Sequence, residues 1–179
     1  MNRTTKGCLI SFIIIIFSIF GIMFLIIQRI DKSFVSDKQE VDISWENYIK
    51  KIRYRDSVLL NNYNIENINA QINKTENYLK DYQLKKDLLN NEYTLNDSLI
   101  KYVNIPHIND KLNRSLSIYN SNVKEFNAKY SSFPYNYLRI KKSVDLYDYF
   151  EIQYGLNNDE IIKKDQKIND WIKNGGELK

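Results

Sequence analysis

Only one cysteine, one histidine, two prolines and five glycines occur among the 179 residues of this chain, and each scarcity excludes something. With Cys8 alone, no intrachain disulfide can form, and no thiol pair can hold a zinc ion. The cysteine also precedes the apolar core of the N-terminal segment, whereas a lipid-attachment cysteine would follow one. His107 comes directly after Pro106 and has no cysteine or second histidine to share a metal with. Metal-binding helical bundles repeat Glu-x-x-His, and that pattern does not occur here. The only adjacent glycines, Gly175-Gly176, are read as ending the last helix, so no Gly-rich phosphate loop is found. Catalytic, cofactor-binding and metal-binding residues are therefore all read as none, and His107 reads as an exposed loop residue. The chain is expected not to be an enzyme.

Charge is absent from one long stretch. From Cys8 to Ile27, twenty residues pass without an ionisable acid or base, and fifteen of them are Ile, Leu or Phe. A helix of that length rises roughly 30 Å, the hydrocarbon thickness of a bilayer. At about −0.3 to −0.6 kcal/mol per residue, the fifteen favour insertion by on the order of 5 to 9 kcal/mol. Gln28-Arg29-Ile30-Asp31-Lys32 follows and offers no small-residue cleavage site, so a retained anchor is expected rather than a cleaved signal peptide. Arg3 and Lys6 before the span nearly balance Arg29, Lys32 and Lys38 after it. The short tail favours an N-terminus inside, with the remaining chain outside the cytoplasm.

Of the 26 basic residues, Arg3, Lys6 and Arg29 lie in the first thirty positions, leaving 23 against 22 acidic ones in the rest. The remaining lysines are scattered in pairs among acids, as on a solvated surface. No nucleic-acid partner is expected. The excess of Ile, Asn, Lys and Tyr fits an AT-rich coding bias, which also accounts for the Asn-x-Ser/Thr triplets at Asn2, Asn73, Asn96 and Asn113.

Between Gly21 and Pro106 there is neither glycine nor proline, and the default is helix. Val41, Trp45, Tyr48, Ile52 and Leu59 form one apolar stripe. Ile65, Ile68, Ile72, Thr75, Leu79, Tyr82, Lys86, Leu89, Tyr93, Asn96, Ile100 and Val103 step by threes and fours along another. Tyrosine-rich seams interrupted by Thr75, Lys86 and Asn96 do not make a regular zipper, so a short antiparallel bundle is expected rather than a coiled-coil rod. Two asparagine clusters, 61–64 and 90–97, are candidate turns. After Pro106, Leu112, Leu116, Tyr119, Val123, Phe126 and Tyr130 place six large side chains on one face of a helix capped by Asn109 or Asp110 and stopped by Phe133-Pro134. A last helix starts at Asn158 or Asp159, carries Ile161, Ile168, Trp171 and Ile172, and ends at Asn174-Gly175-Gly176. The fold class is all-α. An N-terminal transmembrane helix (8–28) is followed by a membrane-proximal linker or helix start (29–40) and an antiparallel three- to four-helix bundle (41–174). Short tails occupy 1–7 and 175–179.

The segment from Asn113 to Glu151 carries a further pattern. Tyr119-Asn120, Val123, Phe126-Asn127, Phe133-Pro134 and Phe150-Glu151 stand in the order and spacing of a signature that resembles the LemA family of small bacterial membrane proteins. Trp45 to Leu60 is similar to that family's first helix, with Arg53 and Asp56 at its Arg/Asp pair. Leu59-Leu60 replaces the Pro-Asn that usually follows. The resemblance implies an anchored helical bundle in a bacterial cell membrane, and it favours the later turn, near 90–97. It also implies a non-enzymatic interaction or scaffolding role with a protein partner. Asn120 and Asn127, a heptad apart beside the apolar stripe, either fix register across a helix interface or line a ligand groove. The second option defines the alternative, a ligand-binding sensory bundle. Tyr135, Tyr137, Tyr147, Tyr149 and Tyr154 crowd the connector between the last two helices, either as core packing or as an interface.

Overall fold

The computed structural model describes residues 3–63, 65–80, 85–103 and 105–174. Among the described residues there are six helices: α1 Arg3–Asn62, α2 Glu66–Tyr78, α3 Lys85–Tyr102, α4 Pro106–Tyr130, α5 Tyr135–Lys141 and α6 Asp159–Asn174. No strand occurs among the described residues. Tyr82, the glycine pair at 175–176 and the tail 175–179 lie outside them, as do the side chains of Cys8, Trp171 and Ile172.

The stretch 29–40, expected as a linker or a helix start, is the interior of one continuous helix, α1. Nothing in it breaks a helix, so the apolar run leads without interruption into the Val41–Leu59 stripe. Large side chains from Phe12 to Ile27 are exposed, and burial starts at Ile30.

Packing divides the chain into two compact units, Met1–Val41 with Lys124–Tyr147 and Asp42–Val123 with Asp148–Lys179. The core of the first is aromatic. Phe34 meets Phe126 at 5.7 Å and Tyr130 at 5.0 Å, while Phe126 meets Tyr147 edge-on at 5.0 Å. Lys129 is tied to Asp37 at 2.6 Å, and the Tyr130 hydroxyl donates to the same carboxylate at 2.7 Å. The second unit holds an aliphatic cluster of Leu59, Ile68, Ile72, Leu95, Leu99, Val103 and Ile105. Beside it lies an aromatic group in which Trp45 stacks within 5.0–5.6 Å of Tyr48, Tyr119 and Phe150.

The candidate turn at 61–64 is where α1 ends. The amide of Tyr63 still reaches Leu59 O at 2.9 Å before the chain extends at Ile65 and restarts at Glu66, whose carboxylate suits a helix N-terminus. The second candidate, 90–97, lies inside α3, and the break comes earlier, at Leu79–Lys80. Asn91 and Asn96 stay helical because they have tertiary partners. Asn91 donates to Thr75 Oγ1 at 2.8 Å and to Gln71 O at 2.9 Å, pinning α3 to α2. The buried face of α3 is also turned from the expected one. Leu88, Glu92, Leu95 and Leu99 are inside, whereas Leu89 and Tyr93 are half-buried and Ile100 is exposed.

On α4 all six stripe residues, Leu112 through Tyr130, are buried. Its start is Pro106 rather than Asn109 or Asp110. Proline suits a first helical position, since that amide would have no intrahelical partner. Helix α6 starts at Asp159, where expected, with Asn157 Oδ1 accepting from the Asp159 amide at 2.7 Å.

Candidate functional site

The residues from 144 to 153 form no regular structure, yet their backbone must be satisfied. Asparagine side chains do this. An asparagine amide carries the same acceptor and donor as a peptide group, so it can take the place of a neighbouring strand. In the second unit Asn120 Oδ1 accepts from the Phe150 amide at 3.1 Å, and its Nδ2 donates to Phe150 O at 2.8 Å. One heptad earlier, Asn113 does the same with Tyr154, at 2.8 and 3.0 Å. Asn96 of α3 accepts from the Gly155 amide at 2.8 Å and donates to Leu156 O at 2.9 Å. In the first unit Asn127 pairs with both backbone groups of Tyr147, at 3.0 and 2.8 Å. Asn113, Asn120 and Asn127 share one helix face at intervals of seven because each presents its amide to the same extended strap.

Gly155 makes the strap's turn. Its φ is +83°, and an added Cβ would come within 2.8 Å of Asn109 Nδ2. Glycine is favoured here on both counts.

Most of the positions singled out between Tyr119 and Glu151 serve the strap. Tyr119 is buried and its hydroxyl donates to Asp148 O at 3.0 Å, Phe150 is buried against Trp45, and Val123 and Phe126 are core. Glu151 contributes its carbonyl, which accepts from Tyr93 at 2.5 Å, while its side chain is exposed. Phe133 and Pro134 behave differently: Phe133 is 81% exposed. Within the tyrosine-rich connector, Tyr154 is buried and Tyr135 and Tyr147 are half-buried, whereas Tyr137 and Tyr149 face solvent. His107 is exposed.

A buried ionic network forms the other polar centre, in the second unit. Arg55 is fully buried and grips Glu92 with two hydrogen bonds, Nη1 to Oε2 at 2.6 Å and Nη2 to Oε1 at 2.9 Å. Its Nε donates to Asp56 Oδ1 at 2.8 Å. Tyr154 donates to Glu92 Oε2 at 2.7 Å, and the Tyr48 and Tyr154 hydroxyls share a 2.5 Å bond. Thr75 completes the shell of Glu92 at 3.1 Å. Four separate elements, α1, α2, α3 and the strap, meet on these groups.

Burial disfavours the Glu92 carboxylate, but the Arg55 charge and the hydrogen bonds from Arg55, Tyr154 and Thr75 outweigh it and hold its pKa below the usual range. Asp56 goes the other way. Burial, reinforced by the charge of Glu92, overcomes the pull of Arg55 and pushes it up to about 6. Its Oδ2 is buried without a hydrogen-bond partner. Both tyrosines are pushed up, first by burial and then by Glu92. The evident capacity of this network is to lock four segments together.

Of the two residues that the resemblance singled out, Asp56 is paired with Arg55, while Arg53 reaches Glu76 at 3.3 Å. The sequence held a signal for this. Arg55 sits at the vacant stripe position between Ile52 and Leu59, and Glu92 sits between Leu88 and Leu95. Opposite charges on two apolar seams mark a pair across a core.

A groove of about 340 Å³ opens near Asn96, Leu99, Tyr102, Val103 and Gly155. It does not include Asn120 or Asn127, whose amides are bound to backbone. The fold is thus an all-helical protein whose N-terminal helix contains a segment long and apolar enough to cross a membrane. No family model, curated protein or solved structure matches the chain.

Proposed function

We propose that this chain is a single-pass, membrane-anchored helical protein of a bacterial envelope, similar to LemA proteins, with a non-enzymatic interaction or scaffolding role. The observation that carries the reading is the continuity of α1, whose exposed apolar stretch from Phe12 to Ile27 runs directly into the helical body. A rigid helical exit from the bilayer presents that body at a fixed distance, which suits a platform more than a flexibly tethered enzyme. The most deeply buried charged groups, Arg55 and Glu92, are hydrogen-bonded to each other. The helical body lies outside the cytoplasm in this proposal.

Crosslinking of the full chain in its native membrane, followed by mass spectrometry, tests the role. The expected result is a recurrent protein partner whose crosslinks map to one face and disappear with Tyr102→Ser and Ile100→Ser, two exposed side chains that line the groove. A second reading, a ligand-binding sensory protein, is favoured by that groove. It predicts a thermal stabilisation by a small molecule that these same changes abolish and no crosslinked partner.

A further inference from the structure

Leaving the span, α1 crosses the headgroup region within the anchor-bearing unit. Asp31 lies four residues past Ile27, about 6 Å farther along the axis at 1.5 Å per residue. The headgroup band of one leaflet is itself roughly 5–8 Å deep. Lys142, just past the end of α5, is held at that level, with its Nζ 2.5 Å from Asp31 and 5.2 Å from the centre of the Phe34 ring. The segment 133–142 is therefore anchored beside the exit of the span.

That segment exposes three large apolar side chains, two of them on α5 and one in the turn before it. Phe133, Tyr137 and Ile140 are spaced by four and three, and they are 81, 53 and 63% exposed. Leu138, on the other side of α5, is buried. An isolated exposed apolar residue needs no explanation, but Tyr137 and Ile140 on one face of a seven-residue helix whose reverse side is packed, with Phe133 exposed in the turn just before it, do. Their neighbours are basic: Lys141 follows Ile140, and Arg29 and Lys32 flank Asp31, all three exposed.

We propose that residues 133–142 form a second, peripheral membrane contact, in which Tyr137, Ile140 and Phe133 enter the interfacial region of an anionic leaflet at the foot of the span. Lys141, Arg29 and Lys32 meet the lipid phosphates there. Tyrosine suits this depth, since its ring is apolar and its hydroxyl stays wet. Basic residues close to the surface add attraction to anionic lipid. The contact fixes the rotation of α1 about the membrane normal, which a single span alone does not.

The inference rests on the anchored reading, and one experiment separates the two. In the full chain carrying Cys8→Ser, a single cysteine is placed by Ile140→Cys, Ile22→Cys or Gln39→Cys and labelled with an environment-sensitive fluorophore. Each protein is reconstituted into vesicles of phosphatidylcholine with phosphatidylserine, or of phosphatidylcholine alone, with spin-labelled lipid as quencher. The expected result is a blue shift and lipid quenching at both Ile22 and Ile140, with Gln39, about 18 Å beyond Ile27, remaining in water. At Ile140 the shift weakens without phosphatidylserine and with Lys141→Gln. Quenching at Ile22 with Ile140 in water overturns the peripheral contact and leaves the anchor intact. No quenching at either position overturns both. A blue shift at Ile140 without lipid quenching means that protein, such as a second copy, covers these side chains, and overturns the proposal. A response at Ile140 indifferent to phosphatidylserine overturns its anionic character.

Discussion

Replacing Arg55 by methionine removes three hydrogen bonds at 2.6–2.9 Å from a group with no solvent contact, and leaves Glu92 and Asp56 buried together without a cation. Breaking a buried pair from one side typically costs about 3–5 kcal/mol, chiefly the penalty of the stranded charge. Glu92→Leu strands Arg55 instead, and a loss of about the same size is expected. In the double variant no opposite charge is left from this pair, so the loss should fall short of the sum of the two by about 2–3 kcal/mol. Chemical denaturation of the full chain in detergent micelles, followed by circular dichroism, gives all four values of the cycle. A loss under about 1 kcal/mol for Arg55→Met, or strictly additive single changes, would refute the claim that this network ties the four elements together.

Other changes probe the same architecture. Asp56 has a pKa raised from 3.8 to about 6 in the fold, so the folded state binds its proton more tightly. Its stabilising share is full below 3.8 and is lost as pH rises through about 6, a swing of roughly 3 kcal/mol. Asp56→Asn should flatten stability against pH across that window, and an unchanged slope would count against the assignment. Glu92 has the opposite sign: its share is present above the unfolded value near 4.5 and disappears as pH falls through its lowered folded pKa. Asn120→Leu removes two backbone bonds and should cost about 2–4 kcal/mol while speeding hydrogen exchange at the Phe150 amide; native-like protection there would contradict the strap's mode of attachment. Gly155→Ala puts a Cβ at a positive φ and 2.8 Å from Asn109 Nδ2, and a loss of about 1–2 kcal/mol is expected in the same denaturation assay.

Much of this fold is legible in sequence where apolar spacing and breakers agree. On α4 the four-three rhythm from Leu112 to Tyr130 coincides with the buried face, because large side chains mark it and Pro106 bounds it. On α3 the rhythm misleads by about one position. Its inner face carries Glu92, Asn91 and Asn96, whose burial is stabilised by partners distant in sequence, and hydrophobicity alone ranks Leu89 and Ile100 above them. Asparagines at 90–97 look like a turn for the same reason: the local preference for left-handed angles is overridden by tertiary bonds that a single sequence does not display. The heptad spacing of Asn120 and Asn127 is visible beforehand, but their partner is a backbone strap rather than a helix interface or a ligand. Asn113 belongs to the same series and passes unnoticed, because its neighbours carry no aromatic to flag it.

The most direct test of the central claim is the intact mass and partition of the chain in bacterial membranes after alkaline carbonate washing. The expected result is a species retaining residues 8–27, held in the pellet and released only by detergent. A soluble species lacking those residues would show a cleaved leader in place of an anchor, and the membrane-presented platform would fall with it.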